Sequence, residues 1–271
     1  MTGPGTTAAA SERLRHDALP VNWPRRLGYI ALAIYTIYAL STLDITWARI
    51  MRGIPQGAHF LGRMWPPNTQ PMQMELMRQG LVESIQIAIL ATFFGVLLSL
   101  PLGLLASRNL MPAWVSWSAR AFIALLRSFN PLIVAILFVK AIGFGALAGI
   151  LALIVGSMGF VSKLFAEAIE EMNLKQVEAV RATGATFAGV LIMGVLPQVM
   201  ARFAGFTAYQ LDSNLRNSAL VGLVGGGGIG ATLFTAFQRF DYDFVLTIVL
   251  AIIGVVTVGE IVSGFMRRLF Q

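Results

Sequence analysis

Five polar residues stand inside long apolar stretches of this chain: Arg127, Asn214, Arg216, Asn217 and Ser218. An arginine guanidinium offers paired donors whose geometry matches the oxygens of phosphonate or phosphate. Ionisable groups at bilayer depth face other protein or water. One reading of the set is therefore a water-filled pathway for an oxyanion. The other is structural: Asp212 stands four residues before Arg216, at ion-pair spacing on a helix, and the pair would simply hold the bundle together. The residue types leave both readings open. Glu260 is expected to be a buried hydrogen-bonding or ion-pairing group. No nucleophile–base pair accompanies these residues. Cysteine is absent, and the two histidines, His16 in a tail and His59 in a loop, have no second ligand at metal spacing.

The elements that must carry these residues follow from composition. The chain has 271 residues, 56% of them hydrophobic and 12% charged, with a mean hydropathy of +0.73. Soluble chains carry about 25% charged residues, so the bilayer is the natural solvent here. The net charge of +7 is then a membrane feature. The aromatics are spread through apolar runs and do not alternate with basic residues, which excludes a base-stacking surface and a nucleic-acid partner. A span needs about 20 apolar residues, and six candidates are counted: 27–43, 82–106, 114–139, 145–165, 190–222 and 244–266. The third, with Arg120 and Arg127, breaks near Asn130–Pro131; the fifth holds Arg202, Asp212 and Arg216. Arg13, Arg15, Arg25 and Arg26 before the first span put both termini in the cytoplasm, with Arg267 and Arg268 on the same side. The 44–80 segment, expected as an external loop, carries Arg49, Arg52, Arg63 and Arg78 against this bias. The organisation is then a flexible tail over 1–26, a first span and external loop over 27–79, and a core over 80–268. Gly145 and Gly149 have the spacing of a close helix–helix contact, Pro101 should kink its span, and Met72, Met74 and Met77 read as a packing face.

A polar stretch, EAVRATGATFAGVLIMGVLP (Glu178–Pro197), interrupts the apolar sequence. On a helix near 175–189, Ala179, Ala182, Thr183 and Thr186 share one small-residue face. Val180, Phe187 and Leu191 form a second face, able to rest on the membrane helices. Glu178 and Arg181 are an i, i+3 pair, Gly184 permits a bend, and Pro197 permits a kink one turn into the next span. The segment reads either as a short docking helix laid across the bundle or as an ordinary amphipathic loop helix.

This stretch resembles the EAA loop of ATP-binding-cassette importer permeases. Glu178, Ala179, Gly184, Leu196 and Pro197 fall in register; Val180 replaces an alanine and Gly194 an isoleucine. Within that family SKLFAEAIEEMNLKQVEAVRATGAT (162–186), RNSALVGLVGGGGIG (216–230) and RSFNPLIVAILFV (127–139) are similar to phosphonate importer permeases. Asn130 and Pro131 depart from the pattern, standing where it has proline and glutamate. The resemblance covers roughly residues 80–265. It implies an all-α, MetI-like bundle of about six membrane helices in the inner membrane, with a cytoplasmic coupling helix that fits a groove on the ATPase. Glu178, Ala179, Arg181, Gly184 and Pro197 become the coupling residues. The implied partners are a second copy, an ATPase dimer carrying ATP and magnesium, and an external binding protein, with no cofactor on this chain. A methionine-type permease and an ion-coupled secondary transporter are the alternatives.

Gly225, Gly227 and Gly230 satisfy a dinucleotide fingerprint, but no strand precedes them. Gly225, Gly227 and Gly228, with Pro131, are read instead as hinge or gate residues, where the backbone turns tightly. An anion-binding nest is the remaining alternative. The lysines, Lys140, Lys163 and Lys175, follow Val, Ser and Leu, so no P-loop exists and ATP hydrolysis must belong to another polypeptide.

Overall fold

The computed structural model describes residues 23–43 and 46–270, with side chains to 265. The tail expected over 1–26 lies outside the described residues as far as 22, as do His16, Arg13 and Arg15; the side chains of Arg267 and Arg268 do too. The chain divides into two units, 1–62 and 63–271.

The first unit contains α1 (Trp23–Thr42) and most of α2 (Trp47–Met64). α1 buries no residue and is apolar on all sides, as a lipid-facing helix is. α2 replaces the expected loop. Trp47, Ile50, Met51, Ile54 and Leu61 recur on one face, and Arg52, His59 and Arg63 on the other. That two-sided pattern belongs to a helix lying in a membrane surface. It also accounts for Arg49, Arg52 and Arg63, which form the polar face of this helix, whereas Arg78 lies on the next helix and pairs with Glu75. Pro55 inside the helix and the short apolar runs hid it from a search for spans.

The second unit starts with α3 (Pro71–Ala106), 36 residues and about 54 Å long. It begins eleven residues before the span expected at 82, because Pro71 fits the first helical turn, where its missing N–H is not needed. Pro101 lies inside α3, which continues to Ala106. Along it Gly80, Ser84, Ala88, Ala91, Gly95, Ser99 and Gly103 form a buried seam of small residues. α6 (Ala146–Glu170) packs along this seam with small residues of its own, among them Ala148, Ala152, Ser157 and Ser162. A Cβ on Gly95 would stand 2.5 Å from Ser157 Cβ, so the two backbones touch there. Lipid tails are as apolar as leucine, and close backbone approach is what holds membrane helices together.

Between them lie α4 (Ala113–Ser128) and α5 (Pro131–Ile142), bent by 85° at the junction. At about 24 and 18 Å, neither alone crosses the ~30 Å hydrocarbon core. Asn130 caps α5 by accepting from Leu132 N at 2.9 Å, with Pro131 in its first turn. This pair of residues gives the break a physical cause. After α6 come α7 (Leu174–Ala182), α8 (Phe187–Val190), a π-helical turn at Leu191–Val195, α9 (Leu196–Leu223), α10 (Gly228–Gln238) and α11 (Tyr242–Phe270). Among the described residues four helical stretches are long and apolar enough to span, or six if each bent pair crosses once. Among the described residues there is no strand.

Candidate functional site

The interruption at Glu178–Pro197 folds as two short helices, not as one helix near 175–189. Asn173 opens α7 by accepting from Lys175 N at 3.1 Å. Gly184 closes it with φ +79, and its N–H reaches Arg181 O at 3.0 Å. Thr186 then caps α8, accepting from Gly189 N at 3.4 Å. Ala179, Ala182, Thr183 and Thr186 are all exposed, so the small-residue set lies open. Glu178 and Arg181 are exposed as well, and among the described residues no ion pair joins them. At that spacing on a solvated nine-residue helix, little holds the two side chains together.

The other face of α7 is pinned. Val177 is buried with Val190, Val195 and Val199, and Val180 and Leu191 pack on this cluster. Phe187, expected in that role, is 53% exposed; the short turn after Gly184 rotates it outward and gives the position to Val190. Gly194 brings the π turn against the α7 backbone, where a Cβ would sit 3.4 Å from Val177 Cα. The π turn immediately precedes Pro197, where the helix cannot donate an amide hydrogen.

Sequence reading missed the polar ties around this end. Gln198 accepts from Asn173 N at 3.0 Å and donates to Gly194 O at 2.6 Å, clasping the start of α7 to α9. Arg202 pairs with Glu171 at 2.7 Å. Arg120 meets Glu170 at 2.6 Å, and the same carboxylate oxygen accepts from Arg108 N at 2.7 Å. Arg120 also reaches Ala106 O at 2.9 Å. Two charges that looked stranded in weak spans are thus anchors where α3, α4, α6 and α9 meet beneath α7. No sequence spacing links Arg120 to a partner fifty residues away.

The polar residues assigned to a pathway separate. Asn214 is buried at 1% and ties three helices: it donates to Thr92 Oγ1 on α3 and Ser157 Oγ on α6, both at 2.9 Å, and accepts from Gln210 at 3.1 Å. Asn217 donates to Ser213 at 3.3 Å. Asn214, Asn217, Ser213 and Gln210, with Tyr209 and Pro131, line a cavity of about 160 Å³. Ser218 is not part of it; its hydroxyl returns to Leu215 O, a bond within its own helix. Arg127, placed inside the bundle by sequence, is exposed, its stem crossing Gly159. Arg216 does pair with Asp212, at 2.6 Å, yet 43% of its side chain remains exposed. Glu260 is exposed and not buried: it lies about 27 Å along α11 from Tyr242, in the second half of that helix.

The glycine run folds at the end of the bundle opposite α7. Gly225, Gly227 and Gly228 have φ of +99, +79 and +72. Gly145 is the cap of α6 and donates to Gly225 O at 3.0 Å, while Gly149 faces Gly226 O. The expected Gly145–Gly149 helix–helix contact is therefore a helix–loop contact. Ser84 accepts from Ile229 N at 2.8 Å. A Cβ on Gly227 would come within 2.8 Å of Glu83 Oε1. A carboxylate therefore stands against this closely packed corner. Nearby, Met77 packs in the core, whereas Met72 and Met74 stay exposed.

A family model described as binding-protein-dependent transport system inner membrane component matches residues 99–271. The phosphite transport system permease protein PtxC of Stutzerimonas stutzeri is 37% identical over 93% of this chain and 92% of its own length. The phosphate-import permease protein PhnE of Mycolicibacterium smegmatis is 39% identical over 76% of this chain, which spans 38% of that longer relative. Among solved structures, an inward-facing form of the MetNI methionine ABC transporter aligns with 75% of this chain and all of its own, with a TM-score of 0.67 and 24% identity, a likeness of fold.

Proposed function

The chain belongs to the binding-protein-dependent transport system inner membrane component family, and from its likeness to phosphite and phosphate-import permeases we infer that it passes a phosphorus oxyanion (phosphonate, phosphite or phosphate) into the cell. It is the translocation subunit of an ATP-binding-cassette importer and not its ATPase. Such importers work with an ATPase and a substrate-binding protein. In this reading two copies of the chain line one pathway across a two-fold axis. The α7 end and both termini lie in the cytoplasm. A dimeric ATPase carrying ATP and magnesium grips α7, and the external binding protein delivers cargo at the glycine-corner end.

The observation that carries the reading is the two-faced α7: Val177 is fixed in the core while Ala179, Ala182 and Thr183 stand open. A helix so placed transmits force applied to its outer face. ATP binding draws the two ATPases together and moves the α7 segments as rigid levers. The Gln198–Asn173, Arg202–Glu171 and Arg120–Glu170 contacts pass that movement to α9, α6 and α4. The result is a shift of population toward an outward-open bundle, reversed on hydrolysis. Along the path, Ser213 and Asn217 offer neutral donors beside the Asn214 tie, and the positive end of the α5 dipole opens beside them at Pro131. Neutral donors hold an anion loosely, as a site that must release its cargo requires. Arg127 and Arg216, exposed on the single chain, are free to face the space between the two copies.

The test is co-purification with the ATPase encoded with this permease. Glu178→Lys should abolish recovery of the ATPase while the yield of monodisperse permease is unchanged. Equal recovery from the variant would overturn the reading. For cargo, ATP-driven uptake of phosphite into proteoliposomes holding the full transporter is expected, with none of methionine.

A further inference from the structure

The glycine-corner end holds a second cavity, of about 320 Å³, between the first turns of α3 and the turn joining α10 to α11. Gln73, Thr232, Arg239 and Asp241 line it. Gln73 Oε1 is buried and accepts no hydrogen bond. Arg239 and Asp241 stand two residues apart, yet no ion pair joins them among the described residues. A buried acceptor without a donor is costly unless something supplies one, and an acceptor that shares a cavity with a carboxylate suits a cationic donor.

The turn itself adds an independent observation. Asp241 N–H reaches Ala236 O and Phe240 N–H reaches Phe237 O, both at 3.1 Å. This is the pairing that closes a helix through one left-handed residue, a position glycine normally takes. Here it is Phe240, with φ +61 and 68% of its surface exposed. Its ring meets Tyr242 edge-on, centroids 6.1 Å apart, yet most of it stays open, and a bulky residue in that region carries a backbone cost that glycine would not. The α3 helix, at about 54 Å, outruns the ~30 Å hydrocarbon core. Its first turns carry Glu75, Arg78 and Gln79, a polar start to an otherwise apolar helix.

We propose that this notch seats a lysine-bearing loop of the external substrate-binding protein. The ammonium sits between Gln73 Oε1 and the Asp241 carboxylate, Arg239 at the rim takes an acidic residue of the same partner, and Phe240 is the apolar anchor. The proposal rests on the importer reading above. Its test uses the permease–ATPase complex in nanodiscs and, as probe, the purified phosphite-loaded binding protein of the same transport system. Phe240→Gly, which relieves the left-handed position, should weaken binding by about tenfold or more. Its Tm should stay the same or rise, and ATP hydrolysis without binding protein should be unchanged. Asp241→Asn should weaken binding and flatten its dependence on salt. Binding of both variants within about twofold of the parent overturns the proposal. So does loss of binding that only accompanies a lowered Tm, which would make Phe240 a packing residue. Crosslinking from position 240 to lipid alone overturns it as well. If the parent complex retains no ATPase, it is the importer reading that fails.

Discussion

Gly184 and the corner glycines look alike in sequence, each a small residue beside a helix end, and they do opposite things. At Gly184 the backbone is left-handed and an added Cβ would meet nothing within 4 Å. At Gly222 and Gly230 the added Cβ would run into the carbonyls of Gly227 and Ala219. The first glycine shapes a turn in open space; the others let chain segments touch. One end of the molecule therefore leaves its glycine in open space, and the other packs its glycines backbone to backbone.

That contrast predicts a graded set of effects. Gly230→Ala must displace a backbone carbonyl, so it should cost about 3 kcal/mol, the upper part of the overpacking range; the recovery of monodisperse protein after detergent extraction should collapse. If the variant is recovered like the parent, the corner is not close-packed. Asn214→Leu strips Thr92, Ser157 and Gln210 of a common partner, a loss of roughly 1–3 kcal/mol, read as a lower Tm in detergent. Gly184→Ala has room but the wrong backbone preference, about 1 kcal/mol, and Gly184→Asn should recover most of it. Here the expected readout is slower ATP-driven transport at normal protein yield. Smallest for stability, within about 0.5 kcal/mol, is Ala182→Glu, which should nonetheless abolish ATPase recovery. A Tm drop in that variant would mean the open face of α7 is not open.

Much of this was legible in the sequence. Small residues at Ala179, Ala182 and Thr183, the Asn130–Pro131 break and the Asp212–Arg216 spacing are local patterns, and local patterns survive translation into structure. What sequence could not supply were distant pairings. Arg120 found Glu170, Gln198 found Asn173, and Asn214 found Thr92, across separations that no periodicity encodes. Burial was also misjudged where hydropathy was the guide: Arg127 and Phe187 turned outward because helix ends nearby, at Ser128 and Gly184, reset the facing of the chain. α2 escaped notice because its two faces cancel in any running average.

The 36-residue helix α3 reaches from the notch near Gln73 to the joint below α7, where Ala106 accepts from Arg120 and Ser116. A tiller of about 54 Å converts a small push at one tip into a wide sweep at the other. A tilt of about 5° displaces the far tip by about 5 Å, comparable to one helical turn. News of nucleotide capture on one side of the membrane can thus arrive at the opposite side as plain geometry, with no chain of side chains required to relay it.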